Sequence, residues 1–264
     1  MVAESNISVE AYVRRLWRHR GTTSPTPRRG PRQQLDLDAL LDAAVVVADS
    51  EGLGGLSTRA VAARLGISAM GLYPYVGSKD QMVALMQDHA SAMPVWTDPE
   101  TSLAADLAEW AGHLFDLYLS HPWLTHIPWT EASGGPNEQD WLERLLVILD
   151  HWDTAGALRA AGVTSLYATV RASAQTSTAY RDLAHSDGAD QWLKRAATTR
   201  HLIDDYAQRY PYSLRLEPHG ALDWQDAPRT SIPSVIDVIS QGLKAASVSK
   251  RHETHGSVTL TDVN

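Results

Sequence analysis

The chain has 264 residues, 44% of them hydrophobic, no Cys, and a formal net charge of −8. That length and apolar content sustain one large or two smaller packed domains, while the missing Cys removes disulfide, iron–sulfur and thiolate–zinc chemistry and agrees with a reducing compartment. No apolar run approaches the roughly 20 residues of a membrane helix, and the N-terminus lacks the apolar stretch of a signal peptide, so a cytoplasmic protein with no membrane partner is expected.

The charge is divided unevenly. Residues 1–35 hold seven Arg against two Glu, and the acidic excess lies entirely beyond them. Polyanion binding follows local potential rather than net charge, so an acidic body with a basic arm is compatible with DNA. Residues 7–20 alternate Ile7, Val9, Tyr12, Val13, Leu16 and Trp17 with four Arg, the pattern of a short amphipathic helix with a basic flank. The Gly, Thr and Pro of residues 21–31 break it and lead to Arg28, Arg29 and Arg32. This arm is expected to touch phosphates or a minor groove; the competing reading is a solvated tail.

From Leu37 the apolar positions Leu40, Leu41, Ala44, Val45 and Ala48 follow one helical face, which Gly52 ends. Ser57 is placed to cap a next helix with inward Val61, Ala62 and Leu65, and Gly66 supplies the left-handed residue that stops it. Ser68 is placed to cap a second short helix that returns Leu72 and Val76 to the first and leaves Ala69, Met70, Gly71, Tyr73 and Tyr75 freer to face outward. Pro74 stands inside that second helix, where it removes an N–H and crowds the carbonyl near Met70, so the helix should bend or be short. Ser78 and Gln81 form a capping box for a fourth helix, which Pro94 closes. These are the parts of a helix-turn-helix.

The run AAVVVADSEGLGGLSTRAVAARLGISAMGLYPYVGSKDQMVALM, within residues 37–86, resembles the DNA-binding domain of the tetracycline-repressor (TetR) family of bacterial regulators. The resemblance implies an all-α protein: an N-terminal three-helix helix-turn-helix domain joined to a larger helical ligand-binding and dimerisation domain. It also implies DNA contacts from Thr58, Arg59, Ser68, Ala69, Met70, Gly71, Tyr73, Tyr75 and Lys79, beside the arm's Arg28, Arg29 and Arg32. Arg59 has the forked donor that suits guanine or phosphate, and Lys79 sits where free helix N–H groups attract an anion. Ala69, Met70 and Gly71 offer no side-chain hydrogen bond, so their reach is limited to thymine methyls and close backbone approach.

Beyond residue 95 the pattern stays helical. Stripes occur at Leu103 to Leu117, Trp141 to Trp152, Leu166 to Ala174, residues 190–209 and Ile232 to Leu243, without alternating strands. Eight of the nine Trp fall here, and Trp110, Phe115, Trp141, Tyr167 and Arg171 are the candidate lining of a ligand cavity. The helices at 190–209 and 231–246 are the candidate dimer interface, with Val235, Ile239 and Leu243 as its apolar stripe.

Enzyme motifs fail: Gly66 to Gly71 lacks the nucleophile-elbow spacing, Gly52 to Gly55 follows a helix rather than a strand, and His113, Asp116 and His121 read as a solvated face. No enzyme, cofactor or metal is expected. The domains read as a basic arm at 1–35, a DNA-binding unit at 36–92, a ligand and dimer domain at 95–246 and a disordered tail at 247–264. The function implied is a homodimeric repressor released from palindromic double-stranded operator DNA by an apolar or aromatic small molecule. The alternative is a helical small-molecule-binding protein or enzyme that retains the helix-turn-helix as packing.

Overall fold

The computed structural model describes residues 7–21, 35–96, 102–154, 156–185, 188–216 and 227–255, and every regular element among them is helical. The arm residues Arg28, Arg29 and Arg32 lie outside this set. No helix among the described residues is long and apolar enough to cross a membrane.

The N-terminal unit is assembled from α1 (Val9–Leu16), α2 (Leu37–Gly55), α3 (Thr58–Leu65), α4 (Tyr73–Val76) and α5 (Lys79–Ala90). Leu40, Leu41, Ala44 and Ala48 of α2 pack against Val61 and Ala62 of α3, Leu72, Val76, and Met82, Leu85 and Met86 of α5. Ser57 Oγ accepts the Ala60 N–H, and Gly66, at φ 67°, closes α3 by donating its N–H to the Ala62 and Ala63 carbonyls. Both ends of α3 therefore form as its sequence demands.

The second helix does not form as one piece. Ser68 makes no side-chain cap; a 3-10 turn at Ala69–Gly71 precedes a single helical turn at α4. Pro74 has no N–H to return to the Met70 carbonyl, which forbids a continuous ladder through this position. Its own carbonyl is not taken by Ser78, whose N–H donates to Val76. Instead the Arg15 guanidinium donates to the Pro74 carbonyl at 2.8 Å.

The larger domain packs α6 (Leu103–Ser120), α7 (Pro136–His151), α8 (Gly156–Ala184) and α12 (Ala227–His255) around one core, with α9 (Gly188–Leu202) laid on α8 and two short helices, α10 (Tyr206–Arg209) and α11 (Pro211–Leu216), following it. Trp110, Phe115, Leu145, Leu149, Leu166, Val170 and Ile236 are buried in that core. Two expectations are corrected. The segment at 190–209 is interrupted after Leu202, and residues 247–255 belong to α12 rather than to a disordered tail. Backbone hydrogen bonding carries a helix past its last apolar contact, so loss of periodicity does not mark its end.

Three sets of bonds fix the two units to each other. The Asp49 carboxylate, on α2 just before its kink at Gly52, receives the Trp123 Nε1–H at 2.7 Å and lies 2.9 Å from His121 Nδ1. Asp88, on α5, caps α7 by accepting the Asn137 and Glu138 N–H groups at 2.8 and 3.1 Å. Helix α1 spans the junction. Arg18 pairs with Asp38 of α2, and Ile7 exchanges two hydrogen bonds with the Gln81 side chain. On the other side Arg20 pairs with Asp140, and the Tyr12 hydroxyl donates to the Ser133 carbonyl at 3.0 Å.

Candidate functional site

Two regions carry chemistry, and α5 belongs to both. The first is the exposed end of the helix-turn-helix. Arg59 stands on the open side of α3, Met70 is 70% exposed on the 3-10 turn, Ser68 is exposed beside it, and Lys79 opens α5 next to its free N–H groups. Thr58, Ala69, Gly71 and Tyr73 are half-buried around them. Each of these residues keeps some exposed surface at this end of the unit.

Two corrections apply there. Arg64, in the last turn of α3, is a second exposed forked donor, which the focus on Arg59 overlooked. Tyr75 is half-buried against the core and its hydroxyl accepts the Leu35 N–H at 3.1 Å, so it anchors the root of the basic arm. The capping box is half realised. Ser78 Oγ accepts the Gln81 N–H, but the Gln81 amide turns to Ile7 rather than back to Ser78.

The second region is a cavity of about 180 Å³ enclosed by α5, α6, α7, α8 and the 3-10 turns between α6 and α7. Trp141, Tyr167 and Arg171 line it as expected. Trp110 and Phe115 do not. They are 0% and 1% exposed, and Trp110 donates its Nε1–H to the Trp141 carbonyl at 3.1 Å from within the core. Their stripe is shared with the cavity wall, and periodicity alone does not separate the two.

The sequence reading missed the polar part of the wall: Gln87 and Ser91 from α5, Glu138 from α7, and Tyr118 and Trp129. Glu138 accepts the Ser133 N–H at 2.8 Å and is bonded by the Gln87 amide; Trp141 Nε1–H donates to the Ser91 carbonyl at 2.9 Å. Gly135 matters because a side-chain carbon there would overlap the Asp88 carboxylate that caps α7. The three polar residues suggested as a solvated face part company. His113 packs against Trp96, Asp116 pairs with Arg229, and His121 meets Asp49.

Burial, with the nearby Glu138 charge adding to it, pushes the Asp88 carboxyl up to about 6, although two N–H groups favour its ionised form. A carboxyl raised in the fold contributes stability that is complete below its unfolded value and is lost as pH rises through about 6. Asp88→Asn keeps the cap acceptor and removes the titration. In urea unfolding between about pH 4 and pH 7, wild type should lose on the order of 1 kcal/mol relative to that variant. Parallel pH profiles would show that Asp88 titrates normally. Tyr12, half-buried, is raised to about 12 by that burial and stays a neutral donor to Ser133.

The α12 stripe needs division too. Ile232, Ile236, Ser240 and Leu243 point into the protomer's own core, and Leu243 packs against Gly162. Leu243 is therefore not an interface residue, since a side chain 5% exposed in the protomer has no area left for a partner. Val235 and Ile239 are half-buried, and Val238, 70% exposed, faces outward.

Residues 40–86 match the family model described as bacterial regulatory proteins, tetR family. Over 130 residues, 48% of this chain and 48% of the relative, the sequence is 38% identical to the HTH-type transcriptional repressor DrrR1 of Streptomyces coeruleorubidus. The match thus spans about half that relative's length. An HTH-type transcriptional regulator of Saccharopolyspora erythraea is 28% identical over 206 residues, 76% of this chain and 83% of the relative. The fold is similar to that of the TetR family protein ActR of Streptomyces coelicolor, solved in complex with actinorhodin. The TM-score is 0.65 at 25% identity, covering 81% of this chain and 98% of that one. Residues 40–86 thus carry the helix-turn-helix of the TetR family of bacterial regulatory proteins, within a chain whose whole helical fold is similar to that of ActR.

Proposed function

We propose that this protein is a cytoplasmic, homodimeric transcriptional repressor whose helix-turn-helix binds a two-fold DNA operator and is released when a small aromatic molecule enters the cavity. One observation carries the reading. A single helix, α5, bears Lys79 on the DNA-facing end and Gln87 and Ser91 on the cavity wall, a rise of roughly 18 Å from one site to the other. A molecule that binds better when α5 sits in one orientation weakens operator binding in the other by the same factor, because the coupling is reciprocal. The protein works by binding and makes or breaks no covalent bond. The names of its relatives agree: DrrR1 is called a repressor, and ActR is solved with a small molecule bound.

The interface for the second copy falls on the outward faces of α8 and α12. Ala161, Thr164, Ala168 and Ala172 make an exposed stripe of small residues on α8, and Val235 and Val238 lie on the open side of α12. Small residues let helices approach closely, and a two-fold operator calls for a two-fold protein.

The test uses DNA flanking the protein's own gene. Log affinity should fall linearly with log salt, by roughly 0.9 for each phosphate contacted. Arg59→Ala should cost about 1–3 kcal/mol and relax preference at one position in each half-site. Equal weakening on every sequence would make Arg59 a phosphate clamp. Absence of any salt-dependent affinity would favour the helical small-molecule-binding protein or enzyme instead.

A further inference from the structure

The charge balance of the cavity wall narrows what enters it. Arg171 brings a guanidinium whose Nη1 donates to the Ile127 carbonyl at 2.7 Å. Its central carbon lies 5.4 Å from the Trp129 ring and 6.0 Å from the Tyr118 ring. Among the described residues no carboxylate pairs with it, and its Nε is buried without a hydrogen-bond partner. Glu138, the one carboxylate in the wall, is already committed: its oxygens receive Ser133 N–H and Oγ–H and the Gln87 amide. Gln87, 7% exposed, is left with its amide oxygen buried and unpartnered. The wall therefore offers an Arg171 guanidinium that no carboxylate meets and a Gln87 amide oxygen without a donor, set among aromatic rings, while the Glu138 charge is held by neutral donors on its own side. Trp129 and Tyr167 meet edge to face at 4.7 Å, which leaves ring faces for a flat molecule.

We infer that the effector is a planar aromatic anion, carrying a carboxylate or ionised phenol toward Arg171 and a hydrogen-bond donor toward Gln87. This rests on the cavity being the release site. An unpaired charge in a low-dielectric wall is costly, and a ligand that brings the opposite charge with hydrogen bonds removes that cost. An aromatic cation is disfavoured by Arg171, which repels it, and by Glu138, whose Oε2 already accepts from Ser133 and Gly134 and whose Oε1 accepts from Gln87.

The experiment pairs naphthalene carboxylate with naphthalene carboxamide, equal in ring and nearly equal in shape, titrated calorimetrically into the full-length protein near neutral pH. The carboxylate should bind at least about tenfold more tightly, a difference of roughly 1.4 kcal/mol. Arg171→Gln should bring the two to within about twofold, and Arg171→Lys should restore part of the preference. Unchanged ligand-free operator affinity and melting temperature certify the fold of each variant; if Arg171→Gln does not fold, the wild-type comparison alone decides. Equal binding of acid and amide, or no binding of either below about 1 mM, overturns the inference. Operator release measured alongside separates the two ideas. Release by acid and amide alike keeps the repressor reading and overturns the anion, whereas tight acid binding with no effect on operator affinity keeps the anion and overturns the release site.

Discussion

Trp110→Ala should lower the free energy of unfolding by about 3–5 kcal/mol, whereas Trp129→Ala should change it by less than about 1 kcal/mol and reduce ligand affinity instead. Trp110 is fully buried, touches Trp141 and Tyr167 edge on, and spends its only donor on the Trp141 carbonyl. Truncation removes a large side chain from packed surroundings and leaves a hole that neighbouring helices fill only in part. Trp129 is 55% exposed, so little packing energy is at stake, but its ring forms cavity wall beside Arg171. Urea titration measures the first effect, and calorimetry with naphthalene carboxylate the second. A Trp110→Ala protein as stable as wild type would place this residue in a cavity wall after all.

The second large effect concerns the dimer. Val238→Asp should leave the protomer folded, dissociate the dimer on dilution, and weaken operator binding by about 100-fold or more, because two linked reading heads bind far more tightly than one. Ile236→Asp, two residues away, should unfold the protomer. Ile236 is 0% exposed inside its own chain while Val238 is 70% exposed, so the same charge meets a packed core in one case and the proposed intermolecular contact in the other. Sedimentation at low concentration and circular dichroism separate the two results. A Val238→Asp protein that stays dimeric would move the interface to another face.

Helix ends were legible wherever a local rule decides them. Ser57 and Gly66 bracket α3 because a side-chain oxygen and a left-handed glycine each act within a few residues. Pro74 was legible as a disturbance, and α4 is accordingly one turn long. What the sequence could not disclose was which of two buried-looking positions faces its own core. Trp110 and Trp141 lie on stripes of the same type and touch each other, yet only Trp141 reaches the cavity, because which side of that contact faces the opening is set by helices distant in the chain. Leu243 and Val238 raise the same difficulty on α12. Polar wall residues were hidden for a different reason. Gln87 and Glu138 look like ordinary surface residues until α5 and α7 are brought together, 51 positions apart.

Helix α1 is made before the partners it docks on and completes its docking late. Its partners Gln81, Ser133 and Asp140 follow by 74, 121 and 120 residues, and at about 5–20 residues per second the last of them emerges roughly 6–24 s after Arg20. Arg18 can meet Asp38 early, but until then Tyr12 and Arg20 lack their partners on the larger domain. The α1 contacts that bridge the two domains are thus completed late in synthesis, although α1 itself is made before either domain.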